Sequence, residues 1–356
     1  MSKKKAKSSR SKTSKPTAAP VVLTMGCPSG VGPEIAVAAC TEADAPPAII
    51  VGDRGVLEAA ARALGRPSSL VAAWPDYEAG AALRGIQIAS SSALAASERP
   101  FGRPTAAGGR AQLAYIEDGF ALAKRLGLPL VTGPVSKEAI ARSGLARARK
   151  FRGHTEWLEE LDGAPHSVMC FASERLVTSL VTTHLPLARV PRALDPAGVT
   201  RSIIELWDLL ARLGRERPRV AVASLNPHAG EGELLGREEI GAIIPGIERA
   251  ASLLGRRVRL TGPIGAETAY RKAAGGHFDG VVAMYHDQAT IPMKLLDFGG
   301  AVNVTQGLGI VRTSVDHGTA YDIAGRGLAD PRGLRSAVQL AARLGAARRR
   351  APAPPW

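Results

Sequence analysis

Three histidines occupy equivalent places in the chain. His184 follows the apolar, β-rich run 175–183, His228 follows the run 219–225 after Asn226 and Pro227, and His286 follows the run 280–285. Short runs of this composition read as buried strands. Parallel strands bring their carboxyl ends to one edge, where ligands of open α/β sheets bind. Three imidazoles there that leave further positions open suit a catalytic divalent cation. The chain has no HxxxH or HExxH pattern around them, and taken singly each reads more readily as a hydrogen-bonded strand-end residue than as a metal ligand.

Behind His286 come Lys294, Asn303 and Arg312, at steps of eight, nine and nine residues. An ammonium, an amide and a guanidinium in one Gly-rich region suit a carboxylate or phosphate, which they bind by charge-assisted hydrogen bonds. The competing reading is a solvated loop that carries ordinary surface charges.

The elements that must position these groups alternate. A strand at 20–25 precedes a Gly-rich loop and an Ala-rich helix, in which Pro33 suits the first turn and Glu34 its positive end. That loop, Gly26-Cys-Pro-Ser-Gly-Val-Gly-Pro-Glu34, fits neither G-x-G-x-x-G nor the P-loop. Asp53, closing the strand-like AIIVGD, is therefore not read as a ribose-binding acid. An amphipathic helix over 110–126 leads to a strand at 128–131. Helices over 200–213 and 236–254 are separated by a strand at 220–225 and followed by one at 258–261. This alternation predicts an α/β fold with largely parallel sheets.

The chain has 356 residues, 45% hydrophobic and 22% charged, enough for two domains with substantial cores. No apolar run reaches the roughly 18 residues of a membrane helix. Cys27, Cys40 and Cys170 form no metal-type pair, which predicts buried thiols in a reducing cytoplasm. Of the net charge of +14, residues 1–20 carry half, with six lysines, one arginine and no acid. Too apolar-poor to fold, and without the h-region of a secretory signal, this segment is expected to be a disordered basic arm. Such an arm is most simply a solubilising tail, with nucleic acid or an anionic membrane as its alternative partners. Residues 347–356 read as a flexible tail.

The segment YHDQ, then Lys294, then VNVTQGLGIVRTSVDHGTAYDIAGRG resembles the carboxyl-terminal signature of the 4-hydroxythreonine-4-phosphate dehydrogenase (PdxA) family, whose wider relatives are the isocitrate and isopropylmalate dehydrogenases. TTHLP, LNPHAGE, GHTE and the Gly-Pro-Val-x-Lys segment ending at Lys137 resemble other motifs of that family, and the likeness extends from Val21 to about residue 345. It implies an isocitrate-dehydrogenase-like fold of two α/β/α domains with a cleft between them. The first comprises 21–140 with 300–346 on the NAD side, and the second 141–299 on the metal and dimer side. His184, His228 and His286 become metal ligands, with zinc favoured over magnesium or cobalt. His154, Thr155, Lys294, Asn303 and Arg312 become substrate-binding, and Asp287 and Lys294 catalytic. His317, Gly318, Thr319, Ala320 and Asp322 resemble the adenosine-side loop for NAD or NADP. The resemblance lets Lys137 reach substrate; by residue chemistry alone it reads nearly as well as a helix-start lysine in solvent, and Thr155 as easily as the cap of a helix starting at Glu156. His166 and His277 match nothing and read as surface residues.

The implied reaction is oxidation of 4-phosphohydroxy-L-threonine at carbon 3, then loss of CO₂ to give 3-amino-2-oxopropyl phosphate, in a homodimer with a shared active site. The family usually has an acid where this chain has Cys27. That departure points to the alternative substrates 4-phosphothreonate and 4-phosphoerythronate, which lack an amino group. A phosphotransacetylase-like transferase and a nucleic-acid binder using the arm are the readings from other classes.

Overall fold

The computed structural model describes residues 19–73 and 86–347. The basic arm and the tail lie outside the described residues except for Ala19, Pro20 and Ala347.

The first part of the chain runs β1 (Val21–Thr24), α1 (Gly32–Cys40), β2 (Ala48–Asp53), α2 (Arg54–Ala63), β3 (Val71–Ala73), β4 (Ile86–Ser92), α3 (Ala106–Leu126), β5 (Leu130–Thr132), α4 (Lys137–Ala141) and α5 (His154–Asp162). It continues through β6 (Val168–Ala172), β7 (Val177–Leu180), α6 (Val190–Ala193), α7 (Pro196–Arg212), β8 (Arg219–Ala223), α8 (Ile244–Leu254), β9 (Arg259–Ile264) and α9 (Ala266–Ala274). The last elements are β10 (Gly280–Ala283), α10 (His286–Leu296), β11 (Val302–Gln306), β12 (Arg312–Ser314) and α11 (Arg332–Gly345).

The strands form one sheet in the order β3-β4-β2-β1-β5-β12-β11-β6-β7-β10-β8-β9. Its two wings are parallel, and the antiparallel pairings, β12–β11, β11–β6 and β6–β7, fall at the centre. The prediction of a largely parallel α/β fold therefore holds, with a central exception that alternation could not reveal: β11 and β12 return as a ladder with no helix between them. β1, β2, β5, β7 and β10 are buried along their whole length, which explains their apolar runs. One core cluster spans both wings, and a smaller one gathers Phe171, Leu180, Tyr270, Val281 and Met293 under α9 and α10.

Caps set the helix boundaries. Thr105 Oγ1 accepts from Gly108 N at 2.9 Å to open α3, and Gly127, at φ 65°, closes it. Asp53 is a cap as well: it accepts from the amides of Val56 and Leu94 and from the Ser92 hydroxyl. Its carboxylate is thereby consumed by structure, which agrees with declining the ribose reading. α8 starts later than predicted, because a π-helical turn over Glu239–Ile243 precedes it. No helix among the described residues is long and apolar enough to cross a membrane.

Candidate active site

Arg312 is the most constrained charge of the site. β12 is shared between β5 and β11, so Arg312 stands beside Leu130 on one side and Thr305 on the other. It is 3% exposed, and its guanidinium donates to Thr132 Oγ1 (2.7 and 3.2 Å) and Thr305 Oγ1 (2.9 Å). Its hydrogen-bond partners are hydroxyls, not a carboxylate. Burial pushes its pKa down to about 10, and Glu156 opposes the shift only at a distance. A buried cation without a contact carboxylate is costly unless an anion arrives.

Two neighbours share this incompleteness. Asn303, on β11 opposite Ser314, has a buried Oδ1 with no hydrogen-bond partner, and His154, opening α5, has a buried Nε2 with none. Burial, then the charges of Arg312 and Lys137, hold the His154 pKa well below the usual imidazole range, so its ring is neutral. A cavity of about 120 Å³ is lined by Thr132, Lys137, His154, Ser314 and His317 among others. Lys137 opens α4 and is exposed, yet it borders this cavity, so both of its expected descriptions apply in part. Thr155 is not a helix cap: α5 begins at His154, two residues before the Glu156 start that a Thr155 cap requires, and Gly153 stands at the cap. Lys294 ion-pairs with Asp316 at 3.0 Å.

The histidines lie past β7, β8 and β10, which are neighbours in the parallel order β7-β10-β8. His184 and His286 meet with ring centroids 5.6 Å apart. Asp287 Oδ1 contacts His286 Nδ1 at 2.8 Å, and Glu156 Oε1 faces His184 Nδ1 at 3.7 Å. That His184 contact is the main reason the Glu156 pKa drops to about 2. His228 is different. It is exposed, in a turn where His228, Ala229, Glu231 and Glu233 all have positive φ. Among the described residues no three His, Cys, Asp or Glu side chains stand close enough to hold a metal ion.

Sequence reasoning missed the residues that set this edge. Gln288 accepts from Met284 N (2.6 Å) and donates to Ser224 O (2.8 Å), tying the end of β10 to the end of β8. Glu239 accepts from the amides of Leu225 and Asn226 and anchors the base of the His228 turn. Glu156 acts by its charge on Arg312 and His154 and also faces His184. The GHTE motif contains it, but its second partner, His184, comes from another element. His166 corrects an expectation: its side chain is only 10% exposed and contacts Glu205 of α7 at 3.2 Å, because the segment before β6 packs under that helix. His277 is exposed as expected. All three cysteines are buried and free.

His317, Gly318, Thr319, Ala320 and Asp322 form an irregular loop after β12, with His317 at the cavity and Ala320 at φ 42°. The Gly-rich loop before α1 lies against it. Val31 N donates to Thr319 O at 2.9 Å, and a Cβ on Gly30 would come 2.7 Å from that same oxygen. Glycine is needed there for close approach of another chain segment, a use that the dinucleotide fingerprints do not describe.

Fold and site together define an α/β enzyme with a pair of imidazoles past its strand ends, a buried arginine in its central ladder and an irregular glycine-bearing loop beside them. The chain belongs to the family described as "Pyridoxal phosphate biosynthetic protein PdxA", whose model matches residues 44–341. It is 41% identical to the 4-hydroxythreonine-4-phosphate dehydrogenase of Caulobacter vibrioides, over 93% of this chain and 99% of that one. It is 43% identical to the same-named enzyme of Aromatoleum aromaticum, over 90% and 95%. The crystal structure of the Klebsiella pneumoniae 4-hydroxythreonine-4-phosphate dehydrogenase matches with a TM-score of 0.78 at 34% identity, covering 92% of this chain and 100% of that one.

Proposed function

We propose that this chain oxidises 4-phosphohydroxy-L-threonine at carbon 3 with a nicotinamide cofactor, NAD or NADP, and releases 3-amino-2-oxopropyl phosphate after decarboxylation. The relatives' common name supports the reaction, and one observation supports the substrate class: among the described residues, buried Arg312 is held by hydroxyls while Asn303 Oδ1 and His154 Nε2 have no hydrogen-bond partner. A phosphate or carboxylate supplies the counter-charge that Arg312 lacks, and bidentate geometry favours guanidinium for this task. Asn303 then accepts a hydrogen bond from the substrate. His154 meets a substrate donor as a neutral ring, and Thr155 beside it supplies a hydroxyl.

The residues present fit a divalent cation in part. Each of the paired imidazoles has an acid at its Nδ1, the pattern that orients a ring toward a metal through Nε2. Zinc suits such nitrogen donors best. The third imidazole, His228, is assigned to the same set with a second copy of the chain completing the site. Exposed Leu234 (81%), Leu295 (81%) and Phe298 (82%) near these elements support a homodimer, since each apolar side chain covered contributes about 1.5–3 kcal/mol. When bound, such a cation supplies Lewis-acid chemistry, lowering the pKa of an alcohol and polarising a carbonyl. The nicotinamide ring supplies the hydride acceptor. Lys294, fixed by Asp316, and Asp287, at the His286 ring, are assigned to proton transfer near the reacting carbons. CO₂ leaves because the new ketone lies β to the carboxylate and takes up the electrons released.

The phosphothreonate and phosphoerythronate alternatives rest on Cys27, whose thiol is 3.4 Å from the Tyr321 hydroxyl. The test is a panel of the three phospho-acids with NAD and NADP, following cofactor reduction and CO₂. Turnover of 4-phosphohydroxy-L-threonine above the other two is expected. Preference for either rival would overturn the assignment.

A further inference from the structure

Glu34 takes no part in the reaction as described, yet it is 1% exposed and reaches a segment 293 residues away. Its position in the first turn of α1 suits the helix dipole, but its Oε1 accepts from Gly327 N at 3.1 Å, at the far end of the loop that begins at His317. Burial raises its pKa, and the amides of Gly327 and Gly325 draw it back. Its Oε2 is buried without a hydrogen-bond partner.

The loop has little to hold it otherwise. Its own backbone makes long turn contacts, Ile323 N to Ala320 O and Arg326 N to Ile323 O, both 3.3 Å. Further restraints come from earlier in the chain: Val31 N on Thr319 O, Cys27 Sγ beside Tyr321 Oη, the Ser136 side chain at Tyr321, and Glu34 on Gly327. Phe101 closes the outer face, packed so tightly on Gly325 that a Cβ there would lie 2.5 Å from the ring. The Gly-rich segment is thus a clamp that fixes a loop from the other end of the chain at both extremities and in the middle.

We infer that Glu34 is a positioning residue for the nicotinamide cofactor: it sets cofactor affinity by holding the 317–327 loop in its binding shape, without touching cofactor or substrate. The Cys27–Tyr321 contact is a weaker second hold. This rests on the assignment of His317, Gly318, Thr319, Ala320 and Asp322 to the cofactor, and the test separates the two claims.

Reduced-cofactor binding is measured by fluorescence titration, and exchange of the 325–327 amides by hydrogen–deuterium exchange. Glu34→Ala is expected to weaken cofactor binding about tenfold, the scale of one lost charge-assisted hydrogen bond. It speeds exchange at 325–327 and leaves the KM of the phosphorylated substrate unchanged. Glu34→Gln, which keeps an acceptor and the shape, restores most of the affinity. Tyr321→Phe, free of any folding risk from a buried carboxyl, loosens binding by about twofold to threefold. If Asp322→Ala weakens cofactor binding while Glu34→Ala, Glu34→Gln and Tyr321→Phe all leave it unchanged, the clamp is wrong and the cofactor loop stands. If Asp322→Ala and His317→Ala leave it unchanged as well, the cofactor assignment itself fails.

Discussion

The anion pocket and the imidazole edge are built to different degrees of completion. Arg312 and the threonines that hold it are buried and registered by a ladder: β12 lies between β5 and β11, which brings Thr132 and Thr305 to the guanidinium. At the imidazole edge the side chains sit past the strand ends. His184 and His286 are half-exposed, and His228 rides a turn of positive φ flanked by exposed leucines. A ladder can finish a site within one chain because every neighbour is fixed by backbone hydrogen bonds. Loops beyond the ladder keep freedom that a ligand or a second subunit must remove, and strained backbone is retained where it serves such a site.

The most severe way to break the contrast is His228→Ala. Loss of an outer-shell partner costs metal sites roughly 10- to 100-fold, so loss of a ligand should remove more than that in both metal content and turnover. The melting temperature should stay unchanged, because the residue is exposed. Metal measured by mass spectrometry at full occupancy in that variant would take His228 out of the set.

Arg312→Ala strikes the other half. Removing a buried charge that holds an anion should raise the KM for the phosphorylated substrate by on the order of 100-fold. Metal content should not change. An unaltered KM would mean that the phosphate binds elsewhere.

Leu295→Asp with Phe298→Asp sharpens the comparison, since both side chains are almost fully exposed in one chain. Sedimentation should show monomers that have lost metal, while titration with a phosphorylated substrate analogue still finds the Arg312 pocket. Monomers that keep both metal and turnover would show that one chain suffices.

The smallest effect is a pH dependence. His154 stays neutral when folded and takes up a proton near pH 6.5 when unfolded. Below that pH the unfolded state binds the extra proton, so stability falls as pH drops, by at most about 1.4 kcal/mol per pH unit. In the protein without substrate, His154→Asn should flatten the fall between about pH 6.5 and 5.5 in urea titrations. An unchanged slope would mean that the imidazole titrates normally.

Much of this was legible before any coordinates. The runs ending at His184, His228 and His286 are apolar because their strands are buried on both faces, and ligand-bearing residues follow such strands, so their placement along one edge could be read directly. Lys294, Asn303 and Arg312 could be read from their types as a candidate anion set. Their unequal fates were not: Arg312 is sealed in the sheet, whereas Lys294 is exposed and paired with Asp316. Nothing in residue type separates a buried guanidinium from a solvated one. His166 misled because a histidine that matches no motif reads as surface until α7 is laid over it.

The order and burial of residues along the chain determined the strands, the helices and which side chains could do chemistry, since periodicity and local capping act over a few residues. The tertiary structure alone decided the partners: Gln288 with Ser224, Glu156 with His184, and Glu34 with Gly327. Each of these contacts joins segments that no local pattern connects, and its energy depends on distances set by packing of the whole sheet.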